Sequence, residues 1–129
     1  MGNTEFIRGI YEKFAQGDVP SVLVAFDDNI EWIEAEGTPY GGTYRSGDEI
    51  VQNVFMKLAT EWTGYTVTPE EFYDAGDTVI VTGTYSGSYN VTGKKMSTPF
   101  AHFWTVEGGT IVKFVQYTDT AVMRRALEA

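Results

Sequence analysis

Residues 100–119 read FAHFWTVEGGTIVKFVQYTD, two apolar runs on either side of Gly108-Gly109. Paired glycines between β-rich runs mark a two-residue hairpin turn. Such a turn would set Glu107 opposite Thr110, Thr105 opposite Val112, Phe103 opposite Phe114 and His102 opposite Val115. One face of the ribbon then carries Phe100, His102, Trp104, Val115, Tyr117 and Asp119, and the other carries Ala101, Phe103, Val112, Phe114 and Gln116. Both faces are apolar, and a sheet of that kind needs cover on both sides. Helices can cover one face and enclose a cavity. A second subunit is the economical cover for the other, which predicts a homodimer.

Upstream of this hairpin the period of two continues. Stretches 65–73, 78–86 and 88–91 running on through 95–107 are β-rich and separated by Ala75-Gly76-Asp77, Gly87 and Thr92-Gly93-Lys94, so an antiparallel meander is expected. Before residue 64 the period is helical. Phe6, Ile7, Ile10, Tyr11 and Phe14 share one stripe of a helix over about 4–16 that stops at Gly17. Pro20 opens a second short helix carrying Val22, Leu23 and Phe26 inward and ending near Asp27-Asp28. Ser46 with Glu49 forms a capping box for a third, whose apolar face runs through Ile50, Val51, Val54, Phe55, Leu58, Ala59 and Trp62. Residues 30–36 alternate as a strand of mixed polarity, 37–47 form a glycine-rich loop holding Tyr40 and Tyr44, and 121–127 form a terminal helix. The order defines one α+β domain over residues 1–129, a strongly curved antiparallel sheet packed on three helices from the N-terminal half plus a short C-terminal helix.

Composition removes several classes of function. Nine Lys plus Arg against 18 Asp plus Glu give a net charge of −9, which nucleic acid and an anionic membrane surface would repel. There is no cysteine, so disulfides, thiolate chemistry and iron–sulfur clusters fall away, and the single His102 cannot build a zinc site from imidazoles and thiols. The longest apolar run, Val22 to Phe26, is far short of a membrane span, and with no signal-peptide layout the expected location is the cytoplasm. The 15% aromatic share suits a core and equally suits the lining of a pocket.

These residues resemble the NTF2-like superfamily, and within it the SnoaL-like polyketide cyclases related to ketosteroid isomerase. The resemblance rests on Gly17-Asp18, Asp27-Asp28 through Trp32, Pro39-Tyr40-Gly41-Gly42 with Gly47, and Thr92-Gly93-Lys94. It rests above all on Phe100-Ala101-His102-Phe103-Trp104 with Gly109, Ile111, Gln116-Tyr117 and Asp119-Thr120-Ala121. It implies a cone-shaped α+β barrel with an apolar pocket between sheet and helices, usually dimeric, that takes a hydrophobic small molecule. It also implies that an aspartate matching Asp119, at the end of the last long strand, moves a proton beside a carbonyl without metal or cofactor, with His102 as the second polar group. The pattern departs from ketosteroid isomerase. By ungapped matching Trp32-Ile33 stand where its strand-one base belongs, and Ala101 where its protonated acid belongs.

Each candidate has a second reading. Asp119 is a general base if it ends in the pocket, or the N-cap of the terminal helix. His102 assists catalysis or is a hydrogen-bonded core residue, and in an unbulged register it lies roughly 13 Å from Asp119. Glu34 and Glu36 are pocket acids or solvated strand-end residues. Trp32, Phe55, Trp104 and Tyr117 are pocket walls or ordinary core. Gln116 binds ligand only if its face, rather than that of Tyr117, looks into the cone. The rival functions are a non-catalytic binder of a small molecule and a dimeric scaffold of the same fold.

Overall fold

A computed structural model describes residues 2–129. The elements are α1 (Asn3–Ala15), α2 (Val19–Val24), β1 (Phe26–Glu34), β2 (Gly42–Tyr44), α3 (Gly47–Ile50), a π-helical segment (Val51–Phe55), α4 (Met56–Glu61), β3 (Trp62–Ala75), β4 (Thr78–Tyr89), β5 (Lys95–Glu107), β6 (Thr110–Thr118) and α5 (Thr120–Leu127). The strands make one sheet in the order β2-β1-β6-β5-β4-β3, open at both edges. It is a mixed α+β fold in which a curved sheet wraps helices on its concave side. Among the described residues no helix is long and apolar enough to cross a membrane.

Local chemistry explains the helix ends. Gly17, at φ 74°, closes α1 in a Schellman arrangement, with its N–H on the Phe14 carbonyl and that of Asp18 on the Lys13 carbonyl. Asp18 then caps α2 by accepting from the N–H and hydroxyl of Ser21. Ser46 caps α3 as expected, with the reciprocal bond shifted by one residue. Its hydroxyl accepts from the Glu49 N–H, and the Glu49 carboxylate reaches back to the Arg45 N–H.

Several boundaries differ from expectation. Helix α2 ends at Val24, so Phe26 opens β1, which runs over 26–34 rather than 30–36. Residues 42–44 pair with β1 as a short edge strand inside what reads as loop. The third helix is broken by the π turn at 51–55, and Trp62 begins β3 opposite Tyr89 instead of ending the helix. Strand β1 runs parallel to β6 while the other pairings are antiparallel. The whole meander separates these two strands, so no hairpin dictates their relative direction.

The decisive correction concerns the last hairpin. Gly108 and Gly109 both take positive φ, 57° and 80°, and Glu107 faces Thr110 as the turn requires. Two residues later β6 bulges at Val112, so that Thr105 pairs with Lys113, Trp104 with Phe114, Phe103 with Val115 and His102 with Gln116. One extra residue exchanges the faces of the rest of β6. Phe114 and Gln116 turn inward with Phe100, His102 and Trp104, while Val115 and Tyr117 turn outward with Phe103.

The inward face carries Ile30 and Trp32 from β1, Val79 and Val81 from β4, and Phe100, Trp104 and Val106 from β5, all buried with Ile7, Ile10 and Tyr11 of α1 and Met123 of α5. Gly83 permits the closest approach in this layer. A Cβ there would run into the Thr68 carbonyl oxygen and stand 2.6 Å from the Phe100 ring.

Candidate functional site

Between the concave sheet and α1, the π-helical segment and α4 lies a cavity of about 510 Å³. Its walls are rings. Trp32 stacks on Phe114 at 3.8 Å and meets Trp104 and Phe55 edge-on, each at 5.7 Å. Trp32, Phe55, Trp104, His102 and Gln116 all line the cavity. The π turn bears on this lining, because its single wider turn sits where Val54 and Phe55 face the cavity.

Tyr117 does not line it. The bulge at Val112 turns its ring to the outer face, where it is 58% exposed and packs edge-on against Phe103 at 5.5 Å. Asp119 is also outside. Its exposed carboxylate accepts from the N–H groups of Ala121 and Val122 as the N-cap of α5. Its carbonyl accepts from the Thr98 hydroxyl, four residues along β5 from His102, so the structure does not bring Asp119 and His102 together. Glu36 is likewise exposed beyond the end of β1.

The acid in the cavity is Glu34, the last residue of β1. It is only 4% exposed, and its Oε2 accepts from Trp32 Nε1 at 2.9 Å. The period of two puts Glu34 on the same face as Trp32, and the start of β1 at Phe26 puts that face inside. Burial pushes its carboxyl up to about 7, and the indole hydrogen bond only partly opposes this. Strand one therefore does supply an inward carboxylate, immediately after the Trp32-Ile33 pair that ungapped matching indicated.

His102 lies on the same inward face of the sheet, paired with Gln116 on β6, and is buried. Its Nδ1 is 2.6 Å from the Tyr11 hydroxyl, and its Nε2 meets the Tyr85 hydroxyl. Trp104 Nε1 donates to Tyr11 at 2.8 Å, and Gln116 Nε2 donates to Tyr85 at 2.9 Å. Burial holds the imidazole pKa well below its ordinary value and raises both phenols, so the ring stays neutral and the hydroxyls stay protonated. Tyr65, also on the cavity wall, is raised by burial and then by the charge of Glu34. Sequence reasoning missed these tyrosines. The available signal was that Tyr11 sits on the apolar stripe of α1 and that Tyr85 is in phase with Val79 and Val81 on β4, since a buried phenol needs a polar partner.

The site thus places an acid of near-neutral pKa and a cluster of neutral hydroxyl donors on the wall of one aromatic cavity. Among the described residues no three His, Cys, Asp or Glu side chains converge as a metal site. A family model of the SnoaL-like domain matches residues 7–114, which include Tyr11, Glu34, Tyr85, His102 and Trp104 but stop short of Gln116. The chain belongs to the SnoaL-like family. This SnoaL-like domain is similar to an NTF2-like protein from Burkholderia thailandensis E264, at 43% identity and a TM-score of 0.95 over 98% of this chain and 97% of that one. An NTF2-like protein of unknown function from Burkholderia pseudomallei K96243 matches at 30% identity and 0.90 over the full length of both. TerC, co-crystallized with polyporic acid, matches at 26% and 0.85 over 97% of each chain. Comparison with curated proteins finds no match.

Proposed function

We propose that this SnoaL-like domain binds an apolar carbonyl compound in the aromatic cavity and moves a proton beside its carbonyl, with Glu34 as the acid and base. The observation that carries the reading is Glu34 itself, a carboxyl enclosed by rings and raised to about 7. A group with a pKa near the working pH can both take a proton and return it. The resemblance pointed to Asp119 for this role, but a carboxylate committed to two amides of α5 outside the cavity is badly placed for it. In the proposed step the Glu34 carboxylate removes the hydrogen from the carbon next to the carbonyl. The electron pair moves onto the carbonyl oxygen as an enolate, the Tyr11–His102–Tyr85 cluster stabilises that oxygen by hydrogen bonding, and Glu34 returns the proton to carbon. His102 is neutral and does not compete for the proton. The co-crystallization of TerC with polyporic acid supports a small organic ligand.

The test is hydrogen exchange in D2O followed by NMR, with a panel of cyclic ketones beginning with 2-tetralone. The wild-type domain is expected to accelerate exchange beside the carbonyl, and Glu34→Gln to lose about 100-fold or more of that acceleration. Binding without exchange across the panel would replace this reading with that of a non-catalytic carrier.

The same reading has the protein working as a cytoplasmic homodimer. The outward face of β5 and β6, where Phe103 and the exposed Tyr117 meet, is the surface a second copy would cover.

A further inference from the structure

The polar groups that share the cavity with Glu34 form a single chain whose two ends have fixed direction. At one end Trp104 Nε1 donates to the Tyr11 hydroxyl, and an indole N–H can only donate. At the other end the Gln116 amide is oriented by the backbone. Its Oε1 accepts from the Ala35 N–H at 2.9 Å, which leaves its NH2 facing the Tyr85 hydroxyl. His102 sits between the two phenols with one ring nitrogen on each.

Both ends therefore push hydrogen inward, and the middle has too many. Trp104, Tyr11, His102, Tyr85 and Gln116 bring one hydrogen each to the chain, five in all, while the chain has four contacts. The neutral ring allows two arrangements. With its proton on Nδ1, His102 donates to Tyr11, Tyr85 donates to Nε2, and the Tyr11 hydrogen is left over. With the proton on Nε2 the middle of the chain reverses and the Tyr85 hydrogen is left over. Among the described residues neither hydroxyl has a further acceptor, both are nearly inaccessible to solvent, and both border the cavity. A buried donor without an acceptor is costly, so such a hydrogen calls for a partner that the chain itself does not supply.

We propose that this surplus hydrogen is the recognition group of the cavity: the Tyr11–His102–Tyr85 chain holds a ligand through an accepting oxygen, that of a ketone, quinone or enolate, and the tautomer of His102 sets which tyrosine gives the bond. The inference rests on the reading that the cavity takes an apolar carbonyl compound, and adds how its oxygen is held. A one-way chain ending on that oxygen also strengthens each bond in turn, most of all as negative charge develops there.

His102 is the only histidine, so protein carrying ¹⁵N-histidine gives the ring signals of this residue alone. The probes are 2-tetralone and 2-methylenetetralin, which has the same shape with CH2 in place of the oxygen. The ketone is expected to bind at least tenfold more tightly and to settle His102 into one neutral tautomer, while the hydrocarbon leaves the free-state spectrum unchanged. Of Tyr11→Phe and Tyr85→Phe, one is expected to abolish the ketone preference and the other to keep it. The tautomer identifies which, with Nδ1–H going with loss in Tyr11→Phe and Nε2–H with loss in Tyr85→Phe. Equal affinities, no ketone binding, ring signals that do not distinguish the probes, or a tautomer that disagrees with the sensitive variant would each overturn the inference. If either variant fails to fold, the wild-type spectra still decide. Glu34→Gln separates this claim from the proton-transfer reading. Exchange retained in that variant overturns the proposed base alone, and a lost ketone preference in wild type overturns the donor chain alone.

Discussion

Gln116 stands directly opposite His102 in the β5–β6 ladder because β6 carries one residue more than its partner at Val112. The pairing puts a side-chain amide at the centre of the polar cluster, where it links the Ala35 N–H at the end of β1 to the Tyr85 hydroxyl on β4. Gln116→Leu fills similar space but leaves the Ala35 N–H without its acceptor and Tyr85 without a donor. A loss of about 1–3 kcal/mol is expected in urea unfolding, the usual cost of orphaning a buried polar group. A loss below about 0.5 kcal/mol would mean that the amide holds nothing in place.

The fold was legible in the sequence because its signals are local. The Gly108-Gly109 turn, the Ser46 cap and the Phe6-to-Phe14 stripe each act within a few residues, and each formed as written. The site was half legible for the opposite reason. No local pattern marks the bulge at Val112, yet that one residue decides that Gln116 rather than Tyr117 looks inward. The role of Glu34 depends on where β1 begins, and β1 is placed by parallel pairing with β6, a contact between strands some 80 positions apart. Trp32, Phe55, Trp104 and His102 needed only the correct face to border the cavity.

The raised pKa of Glu34 makes stability depend on pH in an unusual direction. The folded state holds this proton up to about 7 and the unfolded chain only to about 4.5, so the protonated form favours folding and stability falls as pH rises between the two. The gap corresponds to on the order of 3 kcal/mol. His102 acts oppositely, since its pKa is lowered by burial and folding loses stability as pH falls below the ordinary value of 6.5. The two slopes oppose each other between about 4.5 and 6.5. Urea midpoints of Glu34→Gln are therefore expected to drop with falling pH more steeply than wild type in that range. Parallel curves would show that Glu34 titrates normally. If Glu34 is the base, the exchange rate of the wild-type protein rises with pH and levels off above about 7.

Gly83 is required by crowding, not by backbone torsion. Gly83→Ala would drive a methyl into the Thr68 carbonyl and the edge of Phe100, whose ring stacks on His102 at 4.0 Å. Overpacking of this kind costs about 1–3 kcal/mol. The expected outcome is a lower Tm together with altered His102 ring signals, because Phe100 has to shift; unchanged signals would show that β3 yields instead.

Tyr117 is the most direct probe of the outer face of the sheet. Tyr117→Lys places a charge where Phe103 and Tyr117 pack edge-on. Sedimentation at micromolar concentration is expected to give a dimer mass for wild type and a monomer mass for the variant. A monomeric wild type would leave this face with no second copy to cover it.

Asp119 and Glu34 are separated by paired substitutions that predict opposite signatures. Asp119→Ala removes the acceptor for the Ala121 and Val122 N–H groups, and loss of such a cap costs about 1 kcal/mol. Because this carboxylate lies outside the cavity, exchange of 2-tetralone per folded molecule is expected to stay within about twofold of wild type, where twofold corresponds to roughly 0.4 kcal/mol in barrier. Glu34→Gln is expected to do the reverse, abolishing exchange while keeping a cooperative unfolding transition. Asp119→Asn refines the comparison, since asparagine caps a helix nearly as well as aspartate but cannot act as a carboxylate base. If Asp119→Asn keeps its stability yet loses exchange, the base is Asp119 after all, and the terminal helix must move for its carboxylate to reach the cavity.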